Sequence, residues 1–97
     1  GRSNDVLKAT NGAAIHGSFI GNIVREDVAV RNFQLIQQEH ARFTLTMVSF
    51  PEKVININKL KEKLLLFLGE DAEVEFQIVA NIPVESNGKY KYIINRT

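Results

Sequence analysis

Leu60, Leu64, Phe67 and Leu68 fall at i, i+4, i+7 and i+8, with Lys59, Lys61, Glu62 and Lys63 at polar positions around them. That spacing gathers the apolar side chains on one face of an α-helix, and Gly69 follows where a helix-ending glycine belongs. Just downstream the period changes: Val74, Phe76 and Ile78 alternate with Glu73, Glu75 and Gln77, as in a strand with one face on a core and one in water. Upstream, residues 28–38 are rich in β-branched and large apolar side chains, and Phe43, Leu45 and Met47 alternate with Arg42, Thr44 and Thr46. These predict two strands joined near Glu39-His40-Ala41. Before them, Ile20, Ile23 and Val24 recur at helical spacing, predicting a helix with Ser18 as N-cap that ends near Arg25 and is weakened by Gly21.

At the N-terminal end, residues 6–10 and 13–15 flank Asn11-Gly12, a dipeptide suited to the two positive φ values of a type I′ turn, so a short hairpin is expected. At the other end, a loop over residues 81–88, punctuated by Pro83 and Asn87-Gly88, leads to a last strand over residues 90–94. The order hairpin, α, β, β, α, β, β predicts an α+β fold. A ferredoxin-like sandwich is expected, with a mainly antiparallel sheet and two helices on one face, preceded by a short β-hairpin. The 97 residues form one domain with no internal repeat, low-complexity tract or interior linker.

Charge narrows the functions this fold could serve. Twelve basic and eleven acidic side chains leave a net charge of +1, too balanced to create a field that attracts nucleic acid or anionic membranes. The longest apolar run, Leu64 to Leu68, is far shorter than the roughly 20 residues of a membrane span. The absence of cysteine rules out disulfides, thiolate metal sites and cysteine nucleophiles, and fits a reducing, cytoplasmic setting. The opening Gly1-Arg2-Ser3-Asn4-Asp5 carries neither a signal-peptide nor a transit-peptide pattern, and is expected to follow a longer chain.

Self-contained catalysis finds little support. His16 and His40 lie in different predicted turns without acidic neighbours at ligand spacing, so no metal site is expected. Neither a Gly-x-Ser-x-Gly elbow nor a phosphate-cradling Gly-x-x-x-x-Gly-Lys-Ser/Thr occurs. Lys89-Tyr90-Lys91-Tyr92 interleaves cations with aromatics, as an RNA platform on a ferredoxin-like sheet would, but the Gly-aromatic-Gly-aromatic consensus is missing.

Two short segments are more informative together than apart. Gly1-Arg2-Ser3-Asn4-Asp5, followed by the Asn11-Gly12 hairpin, resembles the hinge motif of the C-terminal domain in the acyl-adenylate-forming superfamily, usually Gly-Arg-x-Asp-Asp before a glycine-containing hairpin. Pro83-Val84-Glu85-Ser86-Asn87-Gly88-Lys89-Tyr90-Lys91 resembles that domain's terminal motif of a proline, a short polar loop, then Gly-Lys and a basic residue. Between them, Phe33-Gln34-Leu35-Ile36-Gln37, Phe67-Leu68-Gly69-Glu70-Asp71 and Val74-Glu75-Phe76 resemble the phenylacetate-CoA ligase and CapK-like branch. Asn4 stands where the first hinge aspartate is usual, and the hairpin is one residue longer than in phenylacetate-CoA ligases proper, which points to the CapK-like side.

The resemblance implies a mobile lid over an N-terminal adenylation domain, outside this sequence, as partner in cis. In the full-length enzyme, Mg-dependent ATP would activate a carboxylate as its acyl-adenylate, and coenzyme A would then take the acyl group as a thioester. It assigns Lys89 the catalytic role of neutralising carboxylate and α-phosphate charge, Arg2 a place near the nucleotide, Asn4 and Asp5 the hinge (residues 1–5), and Gly12 the loop of the thiol channel. This domain alone is expected to bind no cofactor tightly, and its bare face could self-associate as a homodimer. The alternative is a free-standing ferredoxin-like module for small-molecule binding or regulation, in which both motifs are ordinary turns. A native chain that extends upstream of Gly1 would favour the lid.

Overall fold

A computed structural model describes residues 6–82 and 93–96. The elements run β1 (Val6–Lys8), β2 (Ala14–His16), α1 (Gly17–Arg25), β3 (Val30–Glu39), β4 (Arg42–Ser49), α2 (Ile57–Leu68), β5 (Glu73–Ile78) and β6 (Ile93–Asn95). None of the described helices is long and apolar enough to cross a membrane.

The two longest strands, β3 and β4, form an antiparallel hairpin at the centre of a four-stranded sheet ordered β5-β4-β3-β6. Their turn at His40-Ala41 holds Ala41 at φ 68°, a left-handed conformation that few non-glycine residues adopt. Along these strands Phe33, Leu35, Phe43, Leu45 and Met47 point into one face and are at least 98% buried. They meet Ile20, Ile23 and Val24 of α1 and Leu60, Leu64 and Leu68 of α2 in a single core. Fully burying a leucine is worth about 1.5–3 kcal/mol, so the packed stripe, more than intrinsic propensity, makes α2 a helix. Its N-terminus is capped by Asn56, whose side-chain oxygen accepts from the Lys59 amide at 3.1 Å.

The α+β class and the two-helix layer match the sequence reading, and the sheet is mixed. Among the described residues of the four-stranded sheet only the β3–β4 pair is antiparallel; β5 runs parallel to β4 and β6 parallel to β3. The chain leaves β4, returns along α2 and starts β5 from the same end, a crossover that makes the pair parallel. Side-chain alternation is the same in either direction, so the residue pattern could not tell the two apart.

Local details also differ. Helix α1 starts at Gly17 with His16 at the N-cap and no side-chain cap bond, so Ser18 lies inside the first turn. Gly21 faces the Phe33 ring, where an added Cβ would come within 3.3 Å. Strand β3 begins at Val30; Val28 is exposed in a turn closed by Asp27, whose Oδ1 accepts from the Ala29 amide at 2.9 Å. Phe67 lies outside the core, 42% exposed and edge-on to Phe19 at 4.7 Å between ring centroids. Of the predicted last strand, residues 90–92 lie outside the described residues.

Candidate functional site

Between β1 and β2 the chain turns through Thr10, Asn11 and Gly12. The Gly12 amide donates to the Ala9 carbonyl at 2.9 Å and the Ala9 amide to the Ala13 carbonyl at 2.8 Å. Gly12 has φ 91°, and Asn11 is not in the positive-φ region. The loop is therefore a three-residue connection with a single left-handed glycine, not the type I′ turn that Asn11-Gly12 suggests. Asn11 contributes its side chain instead, Oδ1 accepting from the Ala13 amide at 2.9 Å. Residues 11–14 are exposed, and nothing lies within 4 Å of where a Cβ on Gly12 would be.

The stem of this hairpin is held from the other side. Val6, Lys8 and Thr10 turn their outward backbone groups away from β2, which would leave an edge of unpaired amides and carbonyls. Side chains from the main sheet and its β3–β4 turn, and a backbone carbonyl at the end of α2, fill that edge. Asn95 Nδ2 donates to the Val6 carbonyl at 2.9 Å. The Gln37 carboxamide bonds both groups of Lys8, accepting from its amide at 2.9 Å and donating to its carbonyl at 3.0 Å. The Thr10 amide donates to the carbonyl of Leu68, the last residue of α2, at 2.8 Å. His40 Nε2 lies 3.1 Å from the Thr10 carbonyl, a donor in the tautomer protonated there.

Gly69 completes this contact. It adopts φ 120° and ψ 145°, and an added Cβ would fall on the Thr10 hydroxyl and within 3.0 Å of Thr10 Cβ. The hairpin is thus fixed at its stem and open at its tip. The tip carries no acid, base or nucleophile; it can offer only a shaped surface and backbone groups.

Of the residues singled out by sequence, Gly12 is placed at this tip, while Arg2, Asn4, Asp5 and Lys89 lie outside the described residues. His16 ends β2 and His40 occupies the β3–β4 turn, and among the described residues no group of three or more His, Asp or Glu is arranged to hold a metal ion. The residue that sequence reasoning missed is Gln37, the only fully buried polar side chain among those described. Its signal was present: Phe33, Leu35 and Gln37 share one face of β3, so a polar group occupies a core-facing position.

Elsewhere, a concavity at the ends of β3, β4 and β5 includes Glu39, Arg42, Glu73 and Glu75 in its lining. There Arg42 pairs with Glu39 at 3.8 Å and with Glu73 at 3.5 Å, all well exposed. Such pairs contribute little and close the charges upon each other.

The family model of the CapK C-terminal domain matches residues 7–96. Among solved structures, Klebsiella oxytoca NpsA in complex with 3-hydroxyanthranilyl-AMSN superposes with a TM-score of 0.65 at 24% identity, covering 92% of this chain and 18% of that chain. At this identity the likeness is one of fold. No curated protein matches the chain.

Proposed function

The chain belongs to the CapK C-terminal domain family, and on that premise we propose that it is the mobile C-terminal domain of an ATP-dependent, adenylate-forming ligase of the phenylacetate-CoA ligase type. In the first half-reaction a carboxylate oxygen attacks the α-phosphorus of ATP, forming the acyl-adenylate and releasing pyrophosphate. In the second, the sulfur of a thiol such as coenzyme A attacks the acyl carbon and AMP leaves with the bonding electrons.

Lys89 serves the first step. An ammonium approaching the carboxylate and α-phosphate reduces the repulsion between two anions and stabilises the charge that builds in the transition state. Arg2 lies near the nucleotide. Rotation about Asn4 and Asp5 then withdraws Lys89 and brings the Gly12 hairpin to the cleft, where its exposed tip forms part of the thiol's path. A cytoplasmic setting suits both ATP and coenzyme A.

The observation that carries this reading is the family match over nearly the whole chain. A tip without catalytic groups on a firmly held stem suits a channel wall better than an active centre. The chain corresponds to only 18% of the NpsA chain, which suits a lid attached to a larger body.

The test is carboxylate-dependent pyrophosphate release by the longer enzyme that carries this domain. Its panel runs from phenylacetate and hydroxylated aryl acids, suggested by the aryl group of the NpsA ligand, to alkyl acids. Release with one acid class supports the reading; ATP turnover indifferent to every carboxylate contradicts it.

A further inference from the structure

The core-facing positions of β3 read Phe33, Leu35, Gln37, and the third departs from what a core selects. A buried carboxamide is costly unless both its halves are hydrogen-bonded. Gln37 is fully buried, and its side chain meets the amide of Lys8 at 2.9 Å and its carbonyl at 3.0 Å. The side chain thus acts as a single peptide unit of a neighbouring strand. Because both bonds go to one residue, sliding β1 by one position or tilting it away breaks the two together. Gln37 is itself fixed, its backbone carbonyl accepting from the Arg96 amide at 2.9 Å.

We infer that Gln37 is a positioning residue of the hairpin, acting with the Asn95, Leu68 and His40 contacts to set the place of its tip relative to the sheet so that tip and domain turn as one body. The functional half of this inference rests on the ligase reading above; the mechanical half does not. The lever is short but sufficient. At about 3.3 Å per residue the turn lies about 10 Å beyond Lys8, so a tilt of about 10° there moves the tip by about 2 Å. A misplacement of about 1 Å can cost a reaction about a hundredfold in rate.

Gln37→Met keeps the length and most of the volume of the side chain and removes both bonds. Amide hydrogen exchange on the 97-residue chain tests the mechanical half. Lys8 and Thr10 should exchange at least about tenfold faster relative to the β3–β4 ladder, because local opening adds to any global loss of stability. Acceleration shared equally with the ladder, or none, overturns the inference. Should the variant fail to fold, the wild-type chain decides: a Lys8 amide exchanging as fast as the exposed Asn11 amide overturns it, and protection close to that of the ladder supports it.

In the longer enzyme, Gln37→Met should slow thioester formation from preformed acyl-adenylate by about tenfold or more while changing adenylation less than about threefold. Equal loss in both steps indicates a merely structural role and overturns the functional half. Ala13→Trp, a bulky side chain on the tip that leaves Gln37 intact, separates the two failures. If Ala13→Trp slows the thiol step and Gln37→Met does not, the positioning role falls. If Ala13→Trp has no effect, the channel reading falls, and exchange still decides whether Gln37 holds the hairpin.

Discussion

Gly69 shows how one residue can answer two demands at once. Its φ of 120° and ψ of 145° lie where side-chain-bearing residues are strained, and a Cβ there would strike Thr10. Gly69→Ala should therefore destabilise the domain by about 3 kcal/mol, combining backbone strain with overpacking, and lower the thermal midpoint by more than about 10 °C. Adding Thr10→Ala removes the hydroxyl that the new methyl meets and should recover about 1 kcal/mol, the remainder being strain. Strictly additive effects would show that Thr10 does not press on Gly69 in solution. The sequence marked Gly69 as a helix end and Gly12 as a turn, since glycine punctuates both. It could not show that the two features touch, because the contact joins positions 10 and 69 through the fold. Gln37 was harder to read, since an isolated glutamine in a strand usually faces water, and only its parity with Phe33 and Leu35 shows otherwise.

Elements were legible in proportion to how far one period ran without interruption. The stripe of α2 and the alternation of β4 and β5 each have one apolar face, and the elements appear where the pattern predicts, although Ile78 at the end of β5 is 52% exposed and not on the core. In β3, Leu35 and Ile36 are adjacent and apolar, so both faces read as inner, although Leu35 is buried and Ile36 only partly so. Phe67 lies at the margin of the α2 stripe, where Phe19 reaches it from α1, and the two rings pack on the surface. The same pair of helices is joined at the other end by Asp27, whose Oδ2 accepts from the Asn56 amide at 2.9 Å, and by an ion pair in which Lys63 donates to Glu26. The hydrogen bond from Lys63, and then its charge, hold the Glu26 carboxyl below the ordinary glutamate value, with desolvation acting in the opposite sense. A lowered folded-state pKa gives stability that is present above the unfolded value and is lost as pH falls through the folded one. A carboxyl-carbon titration followed by NMR should place the Glu26 midpoint below that of an unstructured glutamate, and Lys63→Met should raise it. A midpoint unmoved by Lys63→Met would mean that the pair does not persist in water.

At the scale of the whole molecule, the proposed function requires the domain to turn as a rigid body and to present one surface in each step. If Asn4 and Asp5 are the hinge, Asp5→Pro fixes φ and should impair thioester formation more than adenylation in the longer enzyme, whereas equal loss would indicate misfolding. The family and the α+β class were legible from motifs at the two ends of the chain and apolar patterns between them, and the direction of the outer strands was not. Nor was the hold on the hairpin, because it is built from side chains distant in sequence. Under the proposed function, adenylation depends most on Lys89. An ammonium about 4 Å from a phosphate oxygen, at an effective dielectric of about 20, gains about 4 kcal/mol of Coulomb energy, part of which desolvation and side-chain ordering offset. If about 3 kcal/mol remains as preferential stabilisation of the transition state, its loss slows the step by about a hundredfold. The decisive measurement is the rate of each half-reaction, taken separately, in Lys89→Ala of the longer enzyme. Adenylation slowed about a hundredfold or more, with thioester formation from preformed acyl-adenylate nearly unchanged, is the predicted result, and adenylation at the wild-type rate would contradict it.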